Sequence, residues 1–199
     1  MVNARTLLLV AGPSGSGKSR LARLGGVAAL SLDEFYHDLD HPGLPRSPIG
    51  ITDWDDARSW NADEALTALR TLLDEGVAEV PVYDISLSRR VGARVLDCHD
   101  SKVILAEGVF APQTLAAVRR AGLPARAIWL DRPRANNFSR RLARDLKEKR
   151  KRPTVLLRRG VALYRDEPRL REAALAAGFE PMPMRRALRL VRRAAGADS

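Results

Sequence analysis

Thr6-Leu-Leu-Leu-Val-Ala-Gly12-Pro13-Ser14-Gly15-Ser16-Gly17-Lys18-Ser19 decides how the rest of the chain is read. Its first half, Leu7–Ala11, is an unbroken aliphatic run, the pattern of a strand covered on both faces. Its second half matches G-x-x-x-x-G-K-[ST] at every fixed position. Glycines let successive backbone N–H groups turn inward and approach a polyphosphate without side-chain obstruction. Lys18–Leu24 suits the first turns of a helix, whose positive N-terminal end adds to that cradle. Lys18 is then placed to reach β- and γ-phosphates, and the Ser19 hydroxyl to ligate Mg²⁺. Gly12, Pro13, Ser14, Gly15, Ser16, Gly17, Lys18 and Ser19 together are the expected site for ATP.

Outward from this loop, strands and helices alternate. Val27–Asp33 is a second apolar run that ends in an acid, followed over residues 37–60 by a proline-rich stretch without periodicity that reads as a long functional loop. Asn61 and Glu64 form an N-cap pattern ahead of a helical stripe (Ala65, Leu66, Leu69, Leu72, Leu73) closed by Gly76. Val80–Tyr83, Val91–Leu96, Lys102–Glu107 and Ala127–Leu130 read as strands, and Pro112–Ala121 as a helix. Arg134–Arg152 reads as a long basic helix, and a further one runs from about Pro153 to Ala177. Beyond Phe179 a strand, a helix or a surface wrap all stay open. The alternation predicts an α/β fold of the P-loop NTPase kind, a mostly parallel sheet flanked by helices, with a helical lid at about 140–155 and residues 1–199 forming one domain.

Ligands of open parallel sheets sit beyond the carboxyl ends of the strands. Asp33 and Glu107 both occupy such ends in this reading. Glu107 is placed to serve Mg²⁺ with Ser19, and Asp33 to accept a proton from an attacking hydroxyl or to orient it.

These segments resemble the uridine kinase family, in the uridine kinase and phosphoribulokinase group of P-loop enzymes, from about Leu7 to Lys151. Ser31-Leu-Asp33-Glu-Phe-Tyr36 is similar to the family's D-x-F-Y segment, which implies Asp33 as catalytic base and brings Tyr36 into the acceptor-binding set. Thr52-Asp53-Trp-Asp-Asp56-Ala57 is similar to F-D-H-P-D-A, which implies that Asp53 holds ribose hydroxyls. Pro81-Val-Tyr83-Asp84 with Arg90 resembles the pocket-lining P-x-Y-D and its basic residue, and Ala106-Glu107-Gly108 the family's E-G. Ser139-Arg-Arg141-Leu-Ala-Arg144-Asp145 is similar to the lid segment, which implies that Arg141 and Arg144 approach the transferred phosphoryl group. Four features depart from the pattern. Ser88 stands where the family reads the base with histidine, Ile85 replaces an aromatic residue, Trp54-Asp55 replaces histidine-proline, and Arg150 replaces a lid glycine. The resemblance therefore implies an ATP-dependent kinase with a hydroxyl acceptor, a nucleoside or related ribosyl compound, and an altered pyrimidine-reading part. Another alcohol, of pantothenate or sugar phosphate type, is the alternative acceptor.

Charge sharpens the remaining choices. The chain of 199 residues carries a net charge of +10, yet residues 132–199 hold 20 Lys/Arg against 7 Asp/Glu. A nucleoside-triphosphate-dependent switch that binds nucleic acid through this half is the non-kinase alternative. Asp145 and Glu148 interrupt the positive field, so the region is expected to be a lid over a triphosphate rather than a nucleic-acid surface. The arginines from Arg185 to Arg193 are expected to form a solvated face. One cysteine excludes a disulfide framework and a Cys-rich zinc site. No apolar run approaches the roughly 20 residues of a membrane span, so the expected setting is cytoplasmic, without membrane; a homo-oligomer is left open.

Overall fold

The computed structural model describes residues 5–48, 50–147 and 153–196, with side chains described outside 141–163. Five parallel strands form the main sheet in the order β2-β5-β1-β6-β7: β1 (Thr6–Ala11), β2 (Ala29–Ser31), β5 (Val103–Glu107), β6 (Ala125–Asp131) and β7 (Glu180–Pro183). Alternate side chains of each central strand enter two separate cores. On one face Leu7, Leu9, Ile104, Ala106 and Trp129 pack against α2 (Ala62–Asp74), α3 (Ala111–Arg120) and the end of α5 (Pro153–Ala176). On the other, Leu8, Val10, Leu105, Ile128 and Leu130 pack against α1 (Lys18–Gly25) and α6 (Met184–Ala195). Burial on both faces is why these strands read as continuous apolar runs.

The strands expected at Val80–Tyr83 and Val91–Leu96 are both present, apart from the parallel sheet. They lie within β3 (Val77–Asp84) and β4 (Arg89–Asp97), which form a separate antiparallel hairpin. Pro81 pairs with Ala93 in this hairpin, whose two strands each keep one free edge, a setting in which a residue without an N–H is tolerated. The apolar run Val27–Asp33 is strand only at Ala29–Ser31; Leu32–Phe35 closes into a 3-10 turn, so Asp33 stands two residues beyond the strand end.

Asn61 caps α2 as expected, its Oδ1 accepting from the Glu64 N–H at 3.1 Å while its Nδ2 donates to the Glu64 carboxylate at 3.0 Å. Of the three options for the tail after Phe179, the structure shows two, a strand (β7) at the sheet edge and a helix (α6) packed on the sheet.

The basic segment expected to form a lid starts as α4 (Arg134–Lys147), and the base of α4 is joined to α5 by polar contacts. Pro168 lies inside α5 and lacks the N–H that would bond the Tyr164 carbonyl one turn earlier. The Arg134 guanidinium donates to that carbonyl instead and lies 4.0 Å from the Tyr164 ring centroid. Asn137 Nδ2 donates to Glu167 at 3.0 Å in a buried contact, and Arg171 reaches Asp131 at the end of β6 at 3.1 Å. Residues 148–152, with Arg150, and the side chains of Arg141 and Arg144 lie outside the described residues.

Candidate active site

The carboxyl ends of β1 and β5 and the turn after β2 converge on the phosphate loop. Gly12, Gly15 and Gly17 hold φ of 154°, 88° and 97°, values that favour glycine. A Cβ on Gly12 would stand 2.8 Å from Ser16 Oγ, so the loop interior has room for backbone only. That Oγ is buried and has no hydrogen-bond partner among the described residues, leaving a polar atom available inside the loop. Lys18 opens α1; its Nζ donates to the Gly12 carbonyl at 2.9 Å and lies 3.9 Å from Glu107 Oε2. Ser19 Oγ donates to Glu107 Oε1 at 2.5 Å. The oxygens of Ser19 and Glu107 are thus paired at the strand ends, a donor set of the hard kind that Mg²⁺ takes.

Asp33 enters the same space from the 3-10 turn. The Val109 N–H donates to its Oδ1 at 3.1 Å. Burial pushes its carboxyl above the ordinary range and the nearby Glu107 charge adds to this, while the Val109 N–H and the Lys18 charge oppose it. A partly desolvated carboxylate beside a phosphate loop is suited to accept a proton near neutral pH.

Gly108 is the spacer that permits this arrangement. A Cβ there would sit 2.7 Å from Asp33 Oδ1 and 2.8 Å from Leu32 Cβ. Gly108→Ala is therefore expected to displace the carboxylate and lower kcat by about 10²-fold, with nucleotide affinity changed much less. Steady-state kinetics alongside nucleotide titration separates the two effects.

An aromatic cluster adjoins Asp33. Tyr36 has ring centroids of Trp54, Tyr83 and Phe110 at 5.5, 5.7 and 5.4 Å. Its phenol is held above its usual range, first by burial and then by the charges of Asp33 and Asp55. The Tyr83 hydroxyl donates to the His37 carbonyl at 3.1 Å, and burial, then the Asp38 charge, pushes that phenol up to about 12. Asp53 accepts from the Asp55 N–H at 3.1 Å. Trp60 anchors the loop: it is buried, donates Nε1–H to the Leu32 carbonyl at 2.8 Å and stacks on Phe110.

Arg90 is committed to a partner. Its guanidinium meets both Glu64 oxygens at 2.6 Å, and its N–H donates to Asp38 at 2.7 Å. Arg94 pairs with Glu34 at 2.9 Å in the same way. Of the departing positions, Ile85 is exposed at the hairpin tip and Ser88 takes a left-handed φ of 50°.

Two residues at the site are not singled out by sequence reasoning. Val109 contributes through its backbone N–H, which no residue type signals. Arg132, just past β6, has a terminal nitrogen 4.0 Å from where a Gly17 Cβ would be, and its Nε is buried without a partner among the described residues. Burial lowers its proton affinity, and neighbouring Arg140 and Arg20 lower it further. Its position at a strand's carboxyl end was the available signal.

No family model matches the chain. It is 37% identical over 110 residues to the inorganic pyrophosphatase TTM2 of Arabidopsis thaliana; that stretch is 53% of this chain and 15% of the plant protein. It is 27% identical over 147 residues to the uridine kinase of Chlamydia pneumoniae, covering 70% of this chain and 63% of that one. In structure it matches a protein of Silicibacter sp. TM1040, provisionally named as a fructose transport system kinase, with a TM-score of 0.56 at 18% identity over 90% of each chain. The fold is the α/β fold of P-loop kinases; in sequence the chain is similar to uridine kinases, and it spans less than two thirds of the length of the curated relatives named here.

Proposed function

We propose that residues 1–199 are one kinase domain that transfers the γ-phosphoryl group of ATP to a hydroxyl of a nucleoside or related ribosyl compound. The observation that carries this is the convergence of Lys18, Ser19, Glu107 and Asp33 at one end of the sheet. Phosphoryl transfer needs positioning and charge neutralisation more than covalent chemistry. The loop amides and Lys18 hold and neutralise the phosphate chain. Ser19 and Glu107 would hold Mg²⁺, which supplies charge neutralisation on the phosphates. Asp33 orients the acceptor hydroxyl and takes its proton, while Arg141 and Arg144 close the site from the lid.

Tyr36, Trp54, Tyr83 and Asp53 form the acceptor end in this reading. Aromatic faces suit a planar base or a sugar ring, and carboxylates suit hydroxyl groups. Arg58, Arg90 and Arg94, which lie on this side of the molecule, are each engaged by a carboxylate. That pairing supports an uncharged hydroxylated acceptor over a sugar phosphate. Accordingly, kcat/KM for the best nucleoside is expected to exceed that for any sugar phosphate by at least about tenfold. Trp54→Ala is expected to raise the acceptor KM by about tenfold, equivalent to about 1.4 kcal/mol, with a smaller change in kcat. Coupled ADP-release assays across an acceptor panel test both expectations. A sugar phosphate as best substrate would replace the nucleoside reading.

A further inference from the structure

Helix α6 carries five arginines and no acid. Its apolar side, Ala187 and Val191, is buried against the sheet, so the arginines face outward. Arg186, Arg189 and Arg193 are spaced i, i+3, i+7 and share one stripe with Leu190. Across from them stands Arg126, near the start of β6. With Met182 these residues line a groove of about 350 Å³ beside β7, the edge strand of the sheet. Arg126 lies toward the amino end of β6, whereas the phosphate loop follows the carboxyl end of the parallel β1, so the groove and the loop are separate places.

One carboxylate answers the four guanidinium groups. Glu180 accepts from Arg126 at 2.8 Å and from Arg186 at 2.9 Å, and the Arg126 bond first of all holds its carboxyl below the ordinary range. Among the described residues no hydrogen bond or ion pair reaches the guanidinium groups of Arg189 and Arg193. Uncompensated positive charge is thus concentrated along one helix face, over roughly 10 Å from residue 186 to 193 at the helical rise.

We propose that this groove binds a short condensed phosphate chain, an inorganic triphosphate or the triphosphate tail of a nucleotide, as a second anion site distinct from the phosphate loop. Guanidinium forks match phosphate oxygens in pairs, and a row of three along a helix matches a linear chain of phosphates. No aromatic side chain lines the groove, so it offers bases nothing to stack on, which argues against single-stranded nucleic acid. The burial of the apolar side of α6 in the core leaves no face to insert into a lipid surface.

The test is calorimetric titration of inorganic triphosphate into the full chain carrying Lys18→Ala, which removes the phosphate-loop lysine. One equivalent is expected to bind, and adding Arg189→Glu and Arg193→Glu is expected to weaken that binding by at least about tenfold. The milder pair Arg189→Ala and Arg193→Ala is expected to weaken it in the same direction, with the melting temperature essentially unchanged. Titration of Arg189→Ala/Arg193→Ala protein with Lys18 intact reports the phosphate loop separately, so the two sites fail or succeed independently. No binding to the Lys18→Ala protein, or equal binding after both arginines are replaced, overturns the proposal. A single-stranded oligonucleotide that binds the Lys18→Ala protein ten times tighter than triphosphate at the same salt, and is lost with the arginines, overturns it in favour of a nucleic-acid surface.

Discussion

Asp33→Asn is expected to lower kcat by about 10³-fold, the usual contribution of a positioned base, while leaving the dissociation constant for Mg-ATP nearly unchanged. Asparagine keeps the size of the side chain and can still accept from the Val109 N–H. What it loses is the capacity to take a proton. The same substitution is expected to raise the melting temperature at neutral pH. Burial raises the folded-state pKa of Asp33 above its unfolded value, so ionising the group costs the folded state more than the unfolded one. That cost is present at neutral pH and disappears as pH falls below the unfolded pKa, so the stabilising effect should fade in acid. Activity of the unaltered protein should fall on the acid side as Asp33 protonates, with its midpoint above the ordinary aspartate value. Turnover unchanged in Asp33→Asn would remove the residue from its assigned role; a lower melting temperature at neutral pH would contradict the burial argument.

Lys18→Ala is expected to be nearly as damaging, through charge rather than proton transfer. Lys18 lies 3.9 Å from Glu107 and bonds the Gly12 carbonyl, at the point where the phosphate chain would run. Removing a preorganised cation from such a site costs on the order of 10²–10³ in rate. It also leaves Glu107 without its positive neighbour, so the site repels a triphosphate. Nucleotide affinity should fall by at least about tenfold, together with kcat. Arginine should not restore function, because its planar fork is longer and wider than the ammonium that fits beneath Gly12. Stopped-flow measurement of nucleotide binding and single-turnover kinetics reads both losses.

Local chemistry made part of this architecture readable before any coordinates. The β1–loop–α1 unit announces itself because its glycines, lysine and serine are adjacent in sequence and act together in space. Asn61 and Glu64 are equally local, separated by a single helical turn. Glu107 is legible because a buried strand has to end where its apolar run meets a charge. The pairing of the strands at Val80–Tyr83 and Val91–Leu96 with each other was not legible, since periodicity identifies a strand but not its neighbour. Nor was the extent of β2, where Leu32 and Phe35 are as apolar as the strand residues but belong to a 3-10 turn.

Partners distant in sequence were the least visible. Arg90 meets Glu64 across 26 positions and Arg94 meets Glu34 across 60, so an arginine beside the aromatic cluster looks free until the fold pairs it. Gly108 appears in a motif, but its reason is the 2.7 Å that a Cβ would leave to Asp33, 75 positions earlier. The bond from Arg134 to the Tyr164 carbonyl depends on Pro168, a residue on another helix. Solvated arginines were expected along the last helix; their alignment with Arg126 in one groove emerges only once β7 and α6 lie beside β6.

The most direct test of the central claim is mass identification of the products after incubating purified protein with Mg-ATP and a panel of nucleosides. The predicted result is ADP and a monophosphorylated nucleoside in equal amounts, both lost in Asp33→Asn. ADP and free phosphate without a phosphorylated acceptor, or no nucleotide turnover with any member of the panel, would contradict it.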